Sequence, residues 1–436
     1  MILNYGPNTL LVNNGDGTFS DRTQLLDINE PQWSTSGAIA DLNGDGLNDI
    51  AIVNYCDGTE PVTVTCPMPE SDVFRSCSPV KFAAAADYFY QAQADGRLKD
   101  CTKTWKAKPT VLGRGLGIVV GALDEEVGND ILIANDMTNN HLWSFRQKSE
   151  SDKPQDLLIE SGMLRGLGTD DRALSQGSMG IASADFDQDG DLDFYVTNFD
   201  KEYNTLHDNR SSGLWQDVTS TMNLASCTMP LVGFGTEAVD LNANGKLELI
   251  VANGHVDMFS RGNEKSLYEH PMQLFQRGES STYVSVGERI KSEYFQNPHV
   301  ARALWTIDAN GDHASDFVVT HQTEPTALLI NHCTQVGTRI SLDLRGTASS
   351  RDAVGSLIRV KSDEQTWSAW LLAGDGYLCS NERTLRIGLG QAVLRCDVEV
   401  QWPSGLTQEF KNLETNHQHL LTEADQQPFT YHPSNP

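Results

Sequence analysis

The chain is short of positive charge: its 436 residues hold 32 lysines and arginines against 59 aspartates and glutamates, a formal charge of −27. A field of that sign opposes nucleic acid and anionic membrane surfaces, so neither is an expected partner. Long apolar runs are missing as well. None approaches the roughly 18–20 residues that cross a bilayer, so no membrane span is expected. The start, "MILNYG", runs straight into a repeat, so no leader peptide is expected in this stretch. HExxH, GxSxG and P-loop signatures are absent, so no catalytic residue and no organic cofactor site is expected. No CxxC pair offers zinc-ligand spacing. "LGRGLG" (112–117) has the glycines of a dinucleotide loop but is followed by a strand pattern, so those glycines are read as packing in an inner strand. "GLG" at 388–390 is read as a turn, and His417 and His419 as a solvated strand edge.

What the chain does have is a repeated acidic loop. "ADLNGDGLND" (40–49) puts Asp41, Asn43, Asp45 and Asp49 around two glycines, with the Leu47 carbonyl as a further oxygen donor. Hard oxygen donors at that rhythm suit calcium. An EF-hand would need Glu at the twelfth position and flanking helices; that position is Ile52, inside the apolar strand pattern "DIAIVN". The loop therefore joins two strands.

Three further copies follow. One has Asp185, Asp187, Asp189 and Asp193, with the Asp191 carbonyl; another has Asp240, Asn242, Asn244 and Glu248, with Lys246 at the carbonyl position. The last has Asp308, Asn310, Asp312 and Asp316, with Ala314 at the carbonyl position and His313 where the others have glycine. A fifth loop, 121–135, keeps Asp124, Glu126 and Asp130 but has Ala122 at the first position. By carboxylate number and the glycine at the sixth position, 185–193 and 41–49 should bind most tightly, then 308–316, then 240–248, with 122–130 empty or holding only water. Two to four structural Ca2+ ions are expected. The bland alternative is that the loops are polar turns capping strands.

A second element repeats between the loops. "NTLLVNNGDGTFSDRT" (8–23) aligns without gaps to "NTLHDNRSSGLWQDVT" (204–219), and "DYFYQAQADGRLKDCT" (87–102) fits the same frame. It reads as a hairpin turning at Gly17, Gly213 or Gly96. One repeat is then a strand, an acidic loop, a strand and a hairpin, which buries its faces only by stacking on neighbours. The expected fold is all-β: a β-propeller of six or seven blades over residues 1–333, then a small all-β domain over 334–436. Residues 8–23 read as the outer half of a blade with no inner half before it, so an upstream segment is expected.

The loops resemble the FG-GAP/VCBS repeats of integrin α-subunit propellers and many secreted bacterial proteins. The tail resembles the ASPIC/UnbV domain through "SSRDAVGSLIRV" (349–360), "LLAGDGYLCSNERTLRIGLG" (371–390) and "VEVQWPSGLTQEF" (398–410). The combination is similar to the cartilage-acidic-protein-like family, and the resemblance spans nearly the whole chain.

Four of the eight cysteines, Cys56, Cys66, Cys77 and Cys101, lie in or beside a long insertion at about 55–86. An even count in such a segment favours disulfides and an oxidising compartment. Of three possible pairings, Cys66–Cys77 with Cys56–Cys101 is preferred, and Cys379–Cys396 is expected within the tail; Cys227 and Cys333 are unassigned. A secreted, periplasmic or cell-surface location is expected. The function expected is non-enzymatic binding or scaffolding, with a protein or glycan ligand at one propeller face. The alternatives are an enzyme or biosynthetic accessory factor whose site is assembled on a face, betrayed by a deep axial pocket with converging His, Asp or Arg, and a subunit of a larger extracellular assembly.

Overall fold

The computed structural model describes the chain except residues 28, 68–73, 125, 147–156, 212, 259, 262–263, 266–267, 279–280, 334–336, 363–364 and 432–436. It is all-β. The segment after each loop's last acid forms a strand, because β-branched and aromatic side chains there fit a surface covered on both sides. These strands are Asp49–Asn54, Asp130–Asn135, Asp193–Val196, Glu248–Asn253 and Asp316–His321, and the first four are buried along their whole length. Each is the second strand of an antiparallel blade.

Blade 1 runs outward through Gln32–Ala40, Asp49–Asn54, Tyr88–Ala92 and Leu98–Asp100, with Tyr5–Gly6 added on the inner side. Blade 2 runs through Gly115–Gly121, Asp130–Asn135, His141–Arg146 and Leu157–Glu160. Blade 3 is Ile181–Ala184, Asp193–Val196, Thr205–Ser211 and Leu214–Asp217; blade 4 is Gly233–Val239, Glu248–Asn253, Gln273–Arg277 and Tyr283–Ser285. Blade 5 has Ala301–Ile307, Asp316–His321 and Ala327–Leu329. The hairpin Leu11–Asn13/Phe19–Asp21 packs Leu10 and Leu26 on blade 1 as an incomplete sixth member, and the described residues make no seventh.

Separate apolar cores lie between successive blades. Ala38, Val53 and Phe89 of blade 1 meet Ile118, Ile133 and Trp143 of blade 2. Leu132 and Leu142 meet Phe194 and Trp215, Tyr195 and Leu206 meet Leu249 and Phe275, and Ile250 and Leu274 meet Leu304 and Phe317. The inner strands of blades 2 to 4 approach their neighbours so closely that one position at each must lack a side chain. A Cβ on Gly117, Gly180 or Gly235 would lie 2.3 Å from the Met179 carbonyl, 2.2 Å from the Phe234 carbonyl and 2.4 Å from the Leu304 nitrogen, respectively. The glycines of "LGRGLG" are thus the packing glycines expected of an inner strand.

Residues after 337 form two four-stranded sheets. One contains Leu385–Gly390, Thr338–Arg345, Gln418–Thr422 and Phe429–Tyr431; the other contains Gln365–Trp370, Leu357–Ser362, Arg395–Gln401 and Thr407–Glu414. Ile340, Leu342, Ile358, Val360, Ile387, Val398, Val400 and Trp402 share one core between them, with Leu385 packed at its edge. The "SSRD" turn wraps a carboxylate: Glu423 accepts the N–H groups of Thr347, Ala348 and Ser349 at 2.7–2.8 Å.

The tail is not self-contained. Residues 371–384 leave it and run along the axis of the blades. Ala373–Gly374 pairs with the inner strand of blade 2, and Gly376 exchanges hydrogen bonds with Ile181 of blade 3. Asn381 reaches Glu237 of blade 4 and Thr306 of blade 5, and Arg383 donates to the Ile39 carbonyl of blade 1. One loop of the tail therefore touches every inner strand.

Three sequence expectations are corrected. Cys66–Cys77 is bonded, but Cys56, Cys101, Cys379 and Cys396 are free. Cys101 is packed in the core between blades 1 and 2, whereas Cys56 pairs its backbone with Ala84 at the insertion. Cys379 belongs to the axial segment, with Sγ 3.3 Å from the Leu304 carbonyl, while Cys396 is sealed in the tail core. Second, "GLG" at 388–390 ends a strand and is not a turn; Gly388 packs against the Asp240 carboxylate. Third, His419 is 1% exposed, with Nδ1 at Thr430 Oγ1 and Nε2 at the Glu414 carbonyl, so it is a satisfied core residue and not a solvated edge. Alkylation before non-reducing peptide mapping should accordingly recover Cys66–Cys77 as a linked pair and the other six cysteines as labelled thiols. A link through Cys56 or Cys379 would contradict this arrangement.

Candidate metal loops and binding face

The four acidic loops share one backbone. The first acid takes the N–H of the sixth position on Oδ2: Gly46 to Asp41 at 2.8 Å, Gly190 to Asp185 at 3.0 Å, Gly245 to Asp240 at 2.6 Å and His313 to Asp308 at 2.9 Å. The third position (Asn43, Asp187, Asn242, Asn310) accepts the N–H of the fifth at 3.0–3.1 Å. The fifth (Asp45, Asp189, Asn244, Asp312) accepts the N–H of Leu47, Asp191, Lys246 or Ala314 at 2.8–3.0 Å. This winding needs the left-handed region at the sixth residue, which explains the glycines: φ is +85° at Gly46, +100° at Gly190 and +83° at Gly245. His313 adopts the same conformation at +63° and carries its strain.

The last acid fastens the loop to the blade. Asp49, Asp193 and Asp316 each accept one N–H from the start of their own loop (Leu42, Phe186, Ala309) at 3.0 Å. Each accepts another from the third strand side (Ala92, Asn209, Asn331) at 2.8 Å. Glu248 takes the Leu241 N–H at 3.0 Å and the Gln276 amide at 3.3 Å. Burial pushes Asp49 and Asp185 up to about 7, Glu248 to about 7 and Asp193 to about 8. These are carboxylates whose ionised form lacks countercharge, and a divalent cation would supply it.

The donor chemistry fits a hard cation best at 185–193, where oxygens of Asp185, Asp187 and Asp193 lie within 4.8 Å of one another. Sequence reading missed a further acid there. Asp208, on the third strand opposite Asp193, is raised to about 6 by burial and then by the charge of Asp187. The hairpin frame held the signal: 208 aligns with 91, and Gln91 Nε2 lies 3.2 Å from Asp45 Oδ2. Arg210 sits 2.7 Å from Asp208 and moderates this cluster. At the fifth loop the positive charge is built in: Arg165 pairs with Asp124, their side chains 14% and 2% exposed.

Both ends of the ring are now defined. The acidic loops lie at one end, under the tail: Asn48 reaches Asp352, Asn129 bridges the Asp41 and Val354 carbonyls, and Gly245 abuts Trp367. The opposite end carries the insertion at 55–86 and the long connections between blades. Its centre is aromatic, with Tyr377 of the axial segment 5.1 Å from Phe234 and Arg302 stacked 4.1 Å over Phe234. Around it, Tyr55 donates to Asp136 at 2.5 Å and Phe199 meets His255 at 5.7 Å. Of the aromatic run at 88–90 on the third strand of blade 1, Phe89 and Tyr90 are core, 1% and 2% exposed, and Tyr88 is half-buried. Residues 371–384 run between the two ends in contact with the inner strands. Among the described residues no helix is long and apolar enough to cross a membrane.

Family models agree with this architecture. Residues 1–52 and 185–251 match the FG-GAP-like repeat, and residues 346–428 match the family called ASPIC and UnbV. The chain is an all-β protein of FG-GAP-like repeats. More particularly, it is one in which those repeats are followed by a C-terminal ASPIC/UnbV domain. No curated protein matches this sequence.

Proposed function

We propose that this is a non-enzymatic, calcium-stabilised binding or scaffold protein working outside the cytosol, and that it holds a protein ligand on the end of the ring opposite the acidic loops. The observation that carries this is the placement of the tail. It covers the acidic-loop end and sends residues 371–384 along the inner strands, which leaves the insertion end as the large accessible face. That face is rich in exposed apolar side chains on blade connections: Phe74 is 63% exposed, Met137 44%, Leu174 54% and Met258 75%. Exposed aliphatic and aromatic side chains of this kind suit protein contact more than glycan contact. Millimolar extracellular calcium would fill loops of this type, and the Cys66–Cys77 bond suits the same compartment.

The test is capture from the native source with the purified chain. Met137→Asp together with Leu174→Asp should reduce recovery of the captured protein tenfold or more without changing the melting temperature. Glycan-array binding that the same double variant abolishes would replace the protein ligand with a glycan. Undiminished capture would move the site off this face. A larger assembly is favoured by one further observation. The flank of blade 5 bearing Trp305, Val318 and Leu328 is half-buried to exposed, whereas the corresponding flanks of blades 1 to 4 are covered by the next blade.

A further inference from the structure

Where the axial segment enters the ring, a cavity of about 200 Å3 is enclosed between blades 3 to 5 and the tail. Two carboxylates from different parts of the chain meet at its wall. Glu237 is 5% exposed within the inner strand of blade 4, and its Oε1 has no hydrogen-bond partner. Asp375 comes from the axial segment. Asn381 clasps both, donating Nδ2 to Glu237 Oε2 at 2.8 Å and its backbone N–H to Asp375 Oδ1 at 3.3 Å. The Asn381 carbonyl oxygen faces Thr306, whose N–H lies 2.8 Å away.

The surroundings supply oxygen but little positive charge. A methyl added at Gly376 would lie 2.7 Å from Cys379 Sγ and 3.2 Å from both Glu237 Oε1 and the Leu304 carbonyl, so the two oxygens and the sulfur border one small space. The nearest guanidinium, Arg383, is engaged by Asp352 and the Ile39 carbonyl. Arg386 is held by Glu382 at 2.9 Å. Burial and mutual repulsion push Glu237 well above the ordinary carboxylate range, and burial pushes Asp375 up to about 7. Arg383 offsets part of the charge at Asp375, yet both acids stay raised, so the seam favours a further positive partner. Cys379 beside them is no soft-metal ligand in this state, because burial keeps its thiol protonated and its Sγ lies 3.3 Å from the Leu304 carbonyl.

We propose that Glu237 and Asp375, with the Leu304 carbonyl and water in the cavity, form a cation site distinct from the acidic loops, suited to a hard divalent ion such as calcium, which clamps the tail's axial segment to blade 4. Carboxylate, carbonyl and water oxygens are what calcium takes, in irregular coordination with room for solvent. The site is built only when the tail is docked, since its two acids come from separate sheets. Binding there links tail docking to calcium concentration.

Direct calcium binding by equilibrium dialysis of the full chain, with bound metal counted by atomic absorption, tests this. The variant Glu237→Gln/Asp375→Asn should bind one equivalent fewer than the parent, and adding Asp187→Ala should remove a second, so the axial site and the loops fail separately. Asp375→Asn alone, nearly isosteric, should weaken one site tenfold or more with an unchanged far-UV spectrum, which covers the case in which the double variant does not fold. If the parent and Asp375→Asn bind the same number of ions with the same affinities, the pair is neutralised by a proton and the site does not exist.

Discussion

Chelating calcium should lower the stability at neutral pH, and with it the melting temperature, by about 2.7 kcal/mol for each site held at a hundred times its dissociation constant. The largest share should come from 185–193. Ion loss there leaves Asp185, Asp187 and Asp193 within 4.8 Å of one another, with Asp208 alongside. Each is raised by burial, so the ion-free loop must take up protons or bear the repulsion. The pH dependence follows with a definite sign. These folded-state values lie above those of the unfolded chain, so without calcium the loop costs stability progressively as pH rises through about 7 to 8. The chelator effect should therefore be larger at pH 8 than at pH 6. Asp187→Ala should reproduce part of the loss and blunt the response to calcium. Asp124→Ala should also destabilise, because it removes the carboxylate paired with the half-buried Arg165, but identically with and without calcium. Differential scanning calorimetry of the three proteins with and without chelator separates these cases. An unchanged melting temperature and no calcium uptake would reduce the loops to polar turns.

The loops were legible in the sequence because their chemistry is local. Ligand-type residues at positions one, three, five and nine and a glycine at six are all set by one left-handed winding, and the strand after it is fixed by a short apolar run. His313 shows the limit of that logic: it breaks the glycine rule yet keeps the backbone, because Asp308 still takes its N–H. Asp208 was visible only through the hairpin alignment with Gln91, as its role depends on strand pairing opposite Asp193. The axial segment was not legible. "LLAGDGYLCSNERT" has the polar, glycine-bearing look of a surface turn, and nothing along the chain says that five inner strands will surround it. The cysteines misled for the same reason, since pairing depends on distances across blades and two of them, Cys101 and Cys396, serve as small core side chains.

Gly180→Ala should be severely damaging, abolishing soluble expression or costing on the order of 3 kcal/mol or more. The added Cβ would lie 2.2 Å from the Phe234 carbonyl oxygen and 3.2 Å from Thr197 Oγ1. Neither is a flexible side-chain end that can swing away. The Phe234 carbonyl accepts the Thr197 hydroxyl at 2.6 Å, and the Gly180 N–H itself donates to that hydroxyl at 2.8 Å. Blades 3 and 4 would have to part along the inner strands, and the opening would reach the axial segment, because the neighbouring Ile181 exchanges hydrogen bonds with Gly376. Gly117 and Gly235 occupy the same place in blades 2 and 4, so Gly117→Ala and Gly235→Ala should behave alike. A position that only relaxes the turn chemistry should not. Gly128, at φ +126° with nothing within 4 Å of an added Cβ, has strain to pay but no neighbour to displace, so Gly128→Ala should yield soluble protein. Chemical denaturation and analytical gel filtration of the four variants measure the difference. Folded, fully stable Gly180→Ala protein would mean that the inner strands of blades 3 and 4 do not lie in backbone contact.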